Sequence, residues 1–295
     1  MADSCGSSCS SAKASGCGTT REAQDAALAQ QENAITRSLG KIKNKILVMS
    51  GKGGVGKSTV SVNLALGLAQ RGHMVGLMDV DIHGPDVIRM LNLKGTLEPP
   101  ATAGGLVPPL RYNDNLKVVS LEYMLKDRDQ AIIWRGPLKI QAIRQFVADM
   151  DWGELDYLII DAPPGTGDEP LTICQLIPEM SGAVVVTTGQ AVALLDSRKA
   201  INFLKTVGIP VLGVLENMTA FCCPHCAKEI NLFKTGGGAQ AAAEMGVPFL
   251  GSVPFDPAMV DAGDEGRFYA VEKPGSPPSA AIRAALDKVL EAVKK

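Results

Sequence analysis

Aromatic residues make up only 4% of the 295-residue chain, too few for a base-stacking platform. Neither sign of charge is in excess. Lys and Arg number 29 against 31 Asp and Glu, a net −2, which argues against retention on nucleic acid by bulk electrostatics. No apolar run reaches the roughly 18 residues that a membrane-spanning helix needs. The N-terminus has no apolar stretch of the export-signal kind. The expectation is a cytoplasmic protein with neither nucleic acid nor membrane as partner. What the chain does have is 46% hydrophobic residues, enough for a large core. It also has seven cysteines, an odd number, which without an export signal read as thiols, metal ligands or redox groups before disulfides. They fall in two clusters, Cys5, Cys9 and Cys17 at the start and Cys222, Cys223 and Cys226 later, with Cys174 alone in an apolar helical pattern as a core thiol.

Residues 1–20 are rich in Ser, Gly and Cys with little to bury, and read as a flexible tail. Arg21 to Ser38 has good helix propensity and low hydrophobicity, a surface helix. Together these make an N-terminal region of residues 1–40, followed by one domain over 41–295. Short apolar runs within that domain read as strands buried on both faces: Ile46–Met49, Val75–Met78, Leu116–Ser120, Tyr157–Ile160, Ala183–Thr187, Val211–Leu215 and Phe249–Val253. Helical patterns fall between them at 57–71 and 194–207, and a last helix covers 279–293. This alternation predicts an α/β fold, a doubly wound and mostly parallel sheet flanked by helices.

Ser50 to Thr59 reads SGKGGVGKST, and Gly51 to Ser58 fits the phosphate-binding pattern G-x-x-x-x-G-K-[ST] between a strand and a helix. Glycines let successive N–H groups at Gly53, Gly54, Val55 and Gly56 curl around phosphate oxygens, and the helix N-terminus adds positive potential. Lys57 would reach the β- and γ-phosphates, Ser58 would bind Mg²⁺, and Thr59 closes the motif. Gly51, Gly53 and Gly56 also satisfy the dinucleotide fingerprint, with Asp79 about twenty residues on. The Lys57-Ser58 pair decides against that reading, because a dinucleotide turn has no use for it.

The second lysine, Lys52, makes this a deviant loop that resembles the MinD/ParA/nitrogenase-iron-protein class of ATPases. The resemblance implies that Lys52 reaches a partner's nucleotide across a homodimer. It implies that Asp81, in the DVDIHGP segment, orients the attacking water, and that Asn217 reads the adenine. Asp79 reads either as a support for metal-bound water or as a turn cap. Asp161, ending a buried strand in DAPPGTGD, fits the acid that holds Mg²⁺ through water, and the Gly165 N–H fits a γ-phosphate sensor.

Cys223 and Cys226 form C-x-x-C within a segment of about 218–235. Two thiolates rarely complete a metal site, and a two-fold dimer supplies two more from the same patch. Four thiolates suit an iron–sulfur cluster or zinc. With W-R-G-P at Trp134 to Pro137, E-N-M at Glu216 to Met218 and C-P-x-C, the ordered motifs resemble the Mrp/ApbC/Nbp family of iron–sulfur cluster carrier ATPases. The resemblance implies an ATP-hydrolysing homodimer that bridges a [4Fe–4S] cluster on Cys223 and Cys226 and passes it to apo iron–sulfur proteins. The alternative is a MinD/ParA-like ATPase switch with a structural zinc. Asp86 stands where many members have Ser, and Cys222 adds a third thiol. Cys5, Cys9 and Cys17 read either as ligands of a second cluster completed from outside or as a reactive tail.

Overall fold

The first apolar run lies at the centre of the sheet. In this computed structural model, which describes residues 29, 31–82, 84–98, 105–124, 136–222, 225–226 and 228–294, the run sits inside strand β1 (Ile42–Ser50). β1 pairs in parallel with β5 (Leu155–Asp161) on one side and β6 (Gly182–Thr187) on the other. β2 (Val75–Asp79), β4 (Leu116–Ser120) and the antiparallel edge strand β3 (Leu110–Asn113) extend one wing. β7 (Val211–Glu216) and β10 (Phe249–Ser252) extend the other, giving the order β10-β7-β6-β1-β5-β2-β4-β3. The chain builds one wing, returns through β5, and then builds the other, so the crevice beyond the C-terminal end of β1 is a topological switch point where ligands bind.

Strand residues alternate between two cores, as the pleat requires. Ile46 and Val48 pack with Val184 and Val186 against α2 (Lys57–Gln70) and α10 (Pro277–Val293). Leu47 and Met49 face the opposite cluster, shared with α4 (Gly136–Asp149), α5 (Asp168–Leu176) and α6 (Ala191–Val207). The helix expected over 21–38 is described over 31–39, here α1. Its polar face is exposed as expected, but Ile35 and Leu39 are buried in that second core, so two anchors fasten a helix whose largely polar composition suggested a surface position alone. The start of that helix, the 1–20 tail with Cys5, Cys9 and Cys17, and Trp134 and Arg135 lie outside the described residues.

Short elements complete the fold. These are α3 (Val87–Met90), a 3₁₀ turn (Leu121–Met124), α7 (Gly237–Met245), α8 (Pro257–Asp264) and α9 (Tyr269–Glu272). Two of them, α3 and α8, line the crevice. A separate antiparallel hairpin joins β8 (Ala220–Cys222) to β9 (Glu229–Asn231). Among the described residues no helix is long and apolar enough to cross a membrane.

Candidate functional site

The loop from Ser50 to Gly56 leaves β1 and enters α2 with two left-handed glycines, Gly54 at φ 78° and Gly56 at φ 80°. A side chain is excluded at Gly56 for a second reason: its Cβ would lie 2.2 Å from Asn217 Nδ2. At Gly53 and Gly54 the space a Cβ would take is open. Asn217, at the end of β7, donates from Nδ2 to the Val55 carbonyl at 3.0 Å, and so ties the far strand end to the loop. Beside it lies a cavity of about 300 Å³ lined by Thr59, Asn217, Met218, Pro254, Phe255 and Met259, among others. Its walls are mixed: Met218, Pro254, Phe255 and Met259 are apolar, Asn217 adds an amide, and Asp86, Arg89, Asp256 and Asp264 add charge. Such a combination of apolar surface and polar groups suits a purine.

Lys57 points into the domain, buried. Its Nζ lies 2.9 Å from Asp161 Oδ1, 3.5 Å from Asp81 Oδ2 and 3.4 Å from Ser58 Oγ. Burial alone would lower its pKa, but the carboxylates of Asp161 and Asp81 reverse that and hold it above the usual lysine value. Four of the residues singled out in the sequence, Lys57, Ser58, Asp81 and Asp161, therefore converge although about a hundred residues separate the two motifs. Ser61 adds a partner that sequence reasoning missed: its Oγ donates to Asp161 Oδ1 at 2.7 Å. Ser61 lies one helical turn after Lys57, a spacing that puts both on one face. Asp161 Oδ2 is buried and has no hydrogen-bond partner among the described residues. An orphan carboxylate oxygen beside a serine hydroxyl is a donor set that fits Mg²⁺ or its bound water.

Asp79 takes the turn-cap role. Fully buried, it accepts from the Asp81 amide at 3.1 Å, the Ser120 hydroxyl at 3.0 Å and the Val87 amide at 3.5 Å. It thereby fixes the segment that carries Asp81. Burial pushes its carboxyl well above the usual range, and the nearby Asp161 charge adds to the shift. The Gly165 N–H donates to the Ser50 carbonyl at 2.8 Å, so sensing a phosphate would require it to exchange that partner. Lys52 turns away from the acids, and its Nζ lies 3.2 Å from Oε1 of Gln190, the N-cap of α6. Gln190 follows β6 at the ligand-facing end of the sheet, and that position is the signal that could have flagged it.

The hairpin follows Asn217 directly. Cys226 is exposed in the connection between β8 and β9. Cys223 and His83 lie outside the described residues, as does the Cys222 side chain. Among the described residues no three His, Cys, Asp or Glu side chains gather as a metal site. Cys174 is a half-buried thiol packed against the core, as expected.

Against this geometry, residues 41–290 match the family described as ParA: NUBPL iron-transfer P-loop NTPase. The chain belongs to that family. It is 50% identical over 239 residues to the iron-sulfur cluster carrier protein of Methanocaldococcus jannaschii, covering 81% of this chain and 82% of that one. It is 46% identical over 257 residues to the human cytosolic Fe-S cluster assembly factor NUBP2, covering 86% and 95%. A nucleotide-binding protein from Archaeoglobus fulgidus, solved in complex with ADP and with cobalt, superposes with a TM-score of 0.69 at 37% identity, over 80% of this chain and 92% of that one. The family membership makes this chain a P-loop nucleotide hydrolase, in agreement with the loop and its acids.

Proposed function

We propose that this chain is an ATP-hydrolysing carrier that binds a [4Fe–4S] cluster across a homodimer and delivers it to apo iron–sulfur proteins in the cytoplasm. The observation that carries the proposal is the exposed Cys226 thiol, in a hairpin that starts three residues after the nucleotide-facing Asn217. The names of the relatives point the same way. One chain offers the pair Cys223 and Cys226. A second copy related by a two-fold axis offers two more thiolates, which completes four-coordinate ligation.

In this reading ATP lies with its purine in the slot beside Asn217 and its phosphates over Gly53, Gly54, Val55 and Gly56. Lys57 and Thr59 hold the phosphates, and Ser58 with Asp161 holds Mg²⁺, which neutralises phosphate charge. Asp81 orients water for in-line attack, and Lys52 leaves Gln190 to act on the partner's nucleotide. Hydrolysis breaks the bond from the γ-phosphorus to the bridging oxygen; water supplies the hydroxyl of inorganic phosphate, and ADP leaves.

The test is anaerobic reconstitution with iron and sulfide, followed by visible spectroscopy and metal counting on wild type and Cys223→Ala/Cys226→Ala. Broad visible absorption with about four irons per dimer, lost in the double variant, is the expected result. Transfer is then read as activation of an apo [4Fe–4S] enzyme. A colourless protein with stoichiometric zinc would sink the carrier reading and support an ATPase switch fastened by zinc. Iron that survives in the double variant would point to Cys5, Cys9 and Cys17.

A further inference from the structure

The strand that leads to Cys222 and the start of the helix that follows the hairpin are each fixed to residues beside Asn217. At the leading end, the Thr219 amide donates to the Val253 carbonyl at 3.1 Å and the Phe255 amide to the Ala220 carbonyl at 2.8 Å. The Phe221 ring meets the Phe255 ring edge to face, 6.1 Å between centroids. Phe255 is also a wall of the purine slot. One aromatic contact therefore separates that slot from the strand that ends in Cys222.

Beyond the hairpin, at the start of α7, the contact is made by Glu216, the residue before Asn217. It is wholly buried at the end of β7. Its Oε2 accepts from the Gly236 amide at 3.2 Å and the Ser252 hydroxyl at 3.4 Å, while Oε1 has no hydrogen-bond partner among the described residues. Gly236 opens α7, the first helix after the hairpin, so the carboxylate also faces the positive end of that helix. Packing here leaves no slack. A Cβ on Gly189 would fall 1.4 Å from the Lys234 carbonyl oxygen, and one on Gly238 would fall 2.8 Å from Glu216 Cβ. Gly189 precedes Gln190, the partner of Lys52. Gly189, the neighbour of the lysine's partner Gln190, and the start of α7 therefore meet at one buried carboxylate, which is next in sequence to Asn217.

We propose that Glu216 and Phe221 are positioning residues that couple nucleotide binding to the cysteine hairpin, so that a nucleotide in the slot changes the accessibility of the Cys226 thiol. The proposal rests on the nucleotide-and-thiol reading above but needs no cluster. Nucleotide that shifts Phe255 or Asn217 shifts one of the two anchors, and the hairpin between β7 and α7 follows them. Bistable packing, and not a continuous wire, is the physical basis for such coupling.

The experiment is the rate of Cys226 alkylation by a small neutral maleimide, followed by peptide mass spectrometry on the metal-free full chain, with and without ADP and magnesium. In wild type the nucleotide should change the rate by about fivefold or more, a typical coupling. Glu216→Met keeps the volume and removes the acceptor, and Phe221→Leu removes the ring contact; each should cut the effect to less than about twofold while ADP affinity stays within about threefold of wild type. Glu216→Gln keeps an acceptor for Gly236 and should retain the effect, which a general loss of packing would not predict. Absence of a nucleotide effect in wild type, or a full effect in Glu216→Met, overturns the proposal. Should the variants fail to fold, amide exchange of residues 229–238 in wild type decides: a change on adding ADP supports it and no change overturns it. Iron plays no part in any arm, so failure of the cluster reading is seen separately, in the reconstitution.

Discussion

The Lys57 ammonium lies 2.9 Å from the Asp161 carboxylate, and almost no solvent reaches either group. This pair joins the phosphate loop to the end of β5 and places a positive charge within reach of both Asp161 and Asp81. Removing one member of such a pair leaves its partner charged and buried, at a cost of about 3–5 kcal/mol. Lys57→Met should therefore abolish ATP hydrolysis and also lower the melting temperature by roughly 10 °C. The pKa of Lys57 is raised in the fold, so its stabilisation is complete below the ordinary value of 10.5 and is lost as pH climbs through the raised one. The gap between wild type and variant should close at the alkaline end. Equal melting temperatures at neutral pH would mean that the acids do not depend on Lys57 for their charge balance.

Asp79 leads to a prediction of opposite form. Its pKa is raised well above 3.8 by burial and by the Asp161 charge, with Lys57 offsetting part of the shift. The folded chain holds this proton over a range in which the unfolded chain has released it, so stability falls as pH rises from 3.8 toward the raised value and then levels. Asp79→Asn has no proton to lose and can still accept from the Asp81 amide. Urea midpoints across the acidic and neutral range should show the variant gaining on wild type as pH rises. A gap that is flat or shrinks would mean that Asp79 ionises without penalty.

The phosphate loop was legible because its chemistry dictates residue type and order, and the central strands because burial on both faces writes continuous apolar runs. What was hidden depends on contacts between distant residues. Nothing in the local sequence links Lys52 to Gln190, 138 positions away, or Ser61 to Asp161, 100 away. The edge strand β3 alternates half-buried and exposed positions, and every residue of β9 is exposed, so neither carries an apolar run to announce it. The α1 helix shows the converse error. Its many polar residues concealed Ile35 and Leu39, the two that hold it down.

Lys52 should be separable from nucleotide binding. Its ammonium rests on Gln190 and not on the acids around Lys57. Lys52→Ala should leave ADP affinity within about threefold by titration calorimetry, yet slow phosphate release by roughly a thousandfold or more, the scale of a missing trans-acting cation. A variant that hydrolyses ATP at the wild-type rate would sink the trans-acting role. One that loses ADP affinity would make Lys52 a ligand within its own chain.

The cysteines should also differ in kind. Burial pushes the Cys174 thiol up to about 11, whereas Cys226 is exposed. At pH 8 a thiol with the Cys174 value is about one part in a thousand thiolate, and the thiolate is the reactive species. Timed alkylation of the folded chain with peptide mapping should modify Cys226 within minutes and leave Cys174 untouched until denaturant opens the core. The order follows from position in the fold: Cys174 lies on α5 against the packed interior, Cys226 on a hairpin outside it. Fast modification of Cys174 in the native protein would mean that α5 opens readily, and since α5 begins at Asp168, the end of the DAPPGTGD segment, that mobility would extend to the loop that carries Gly165.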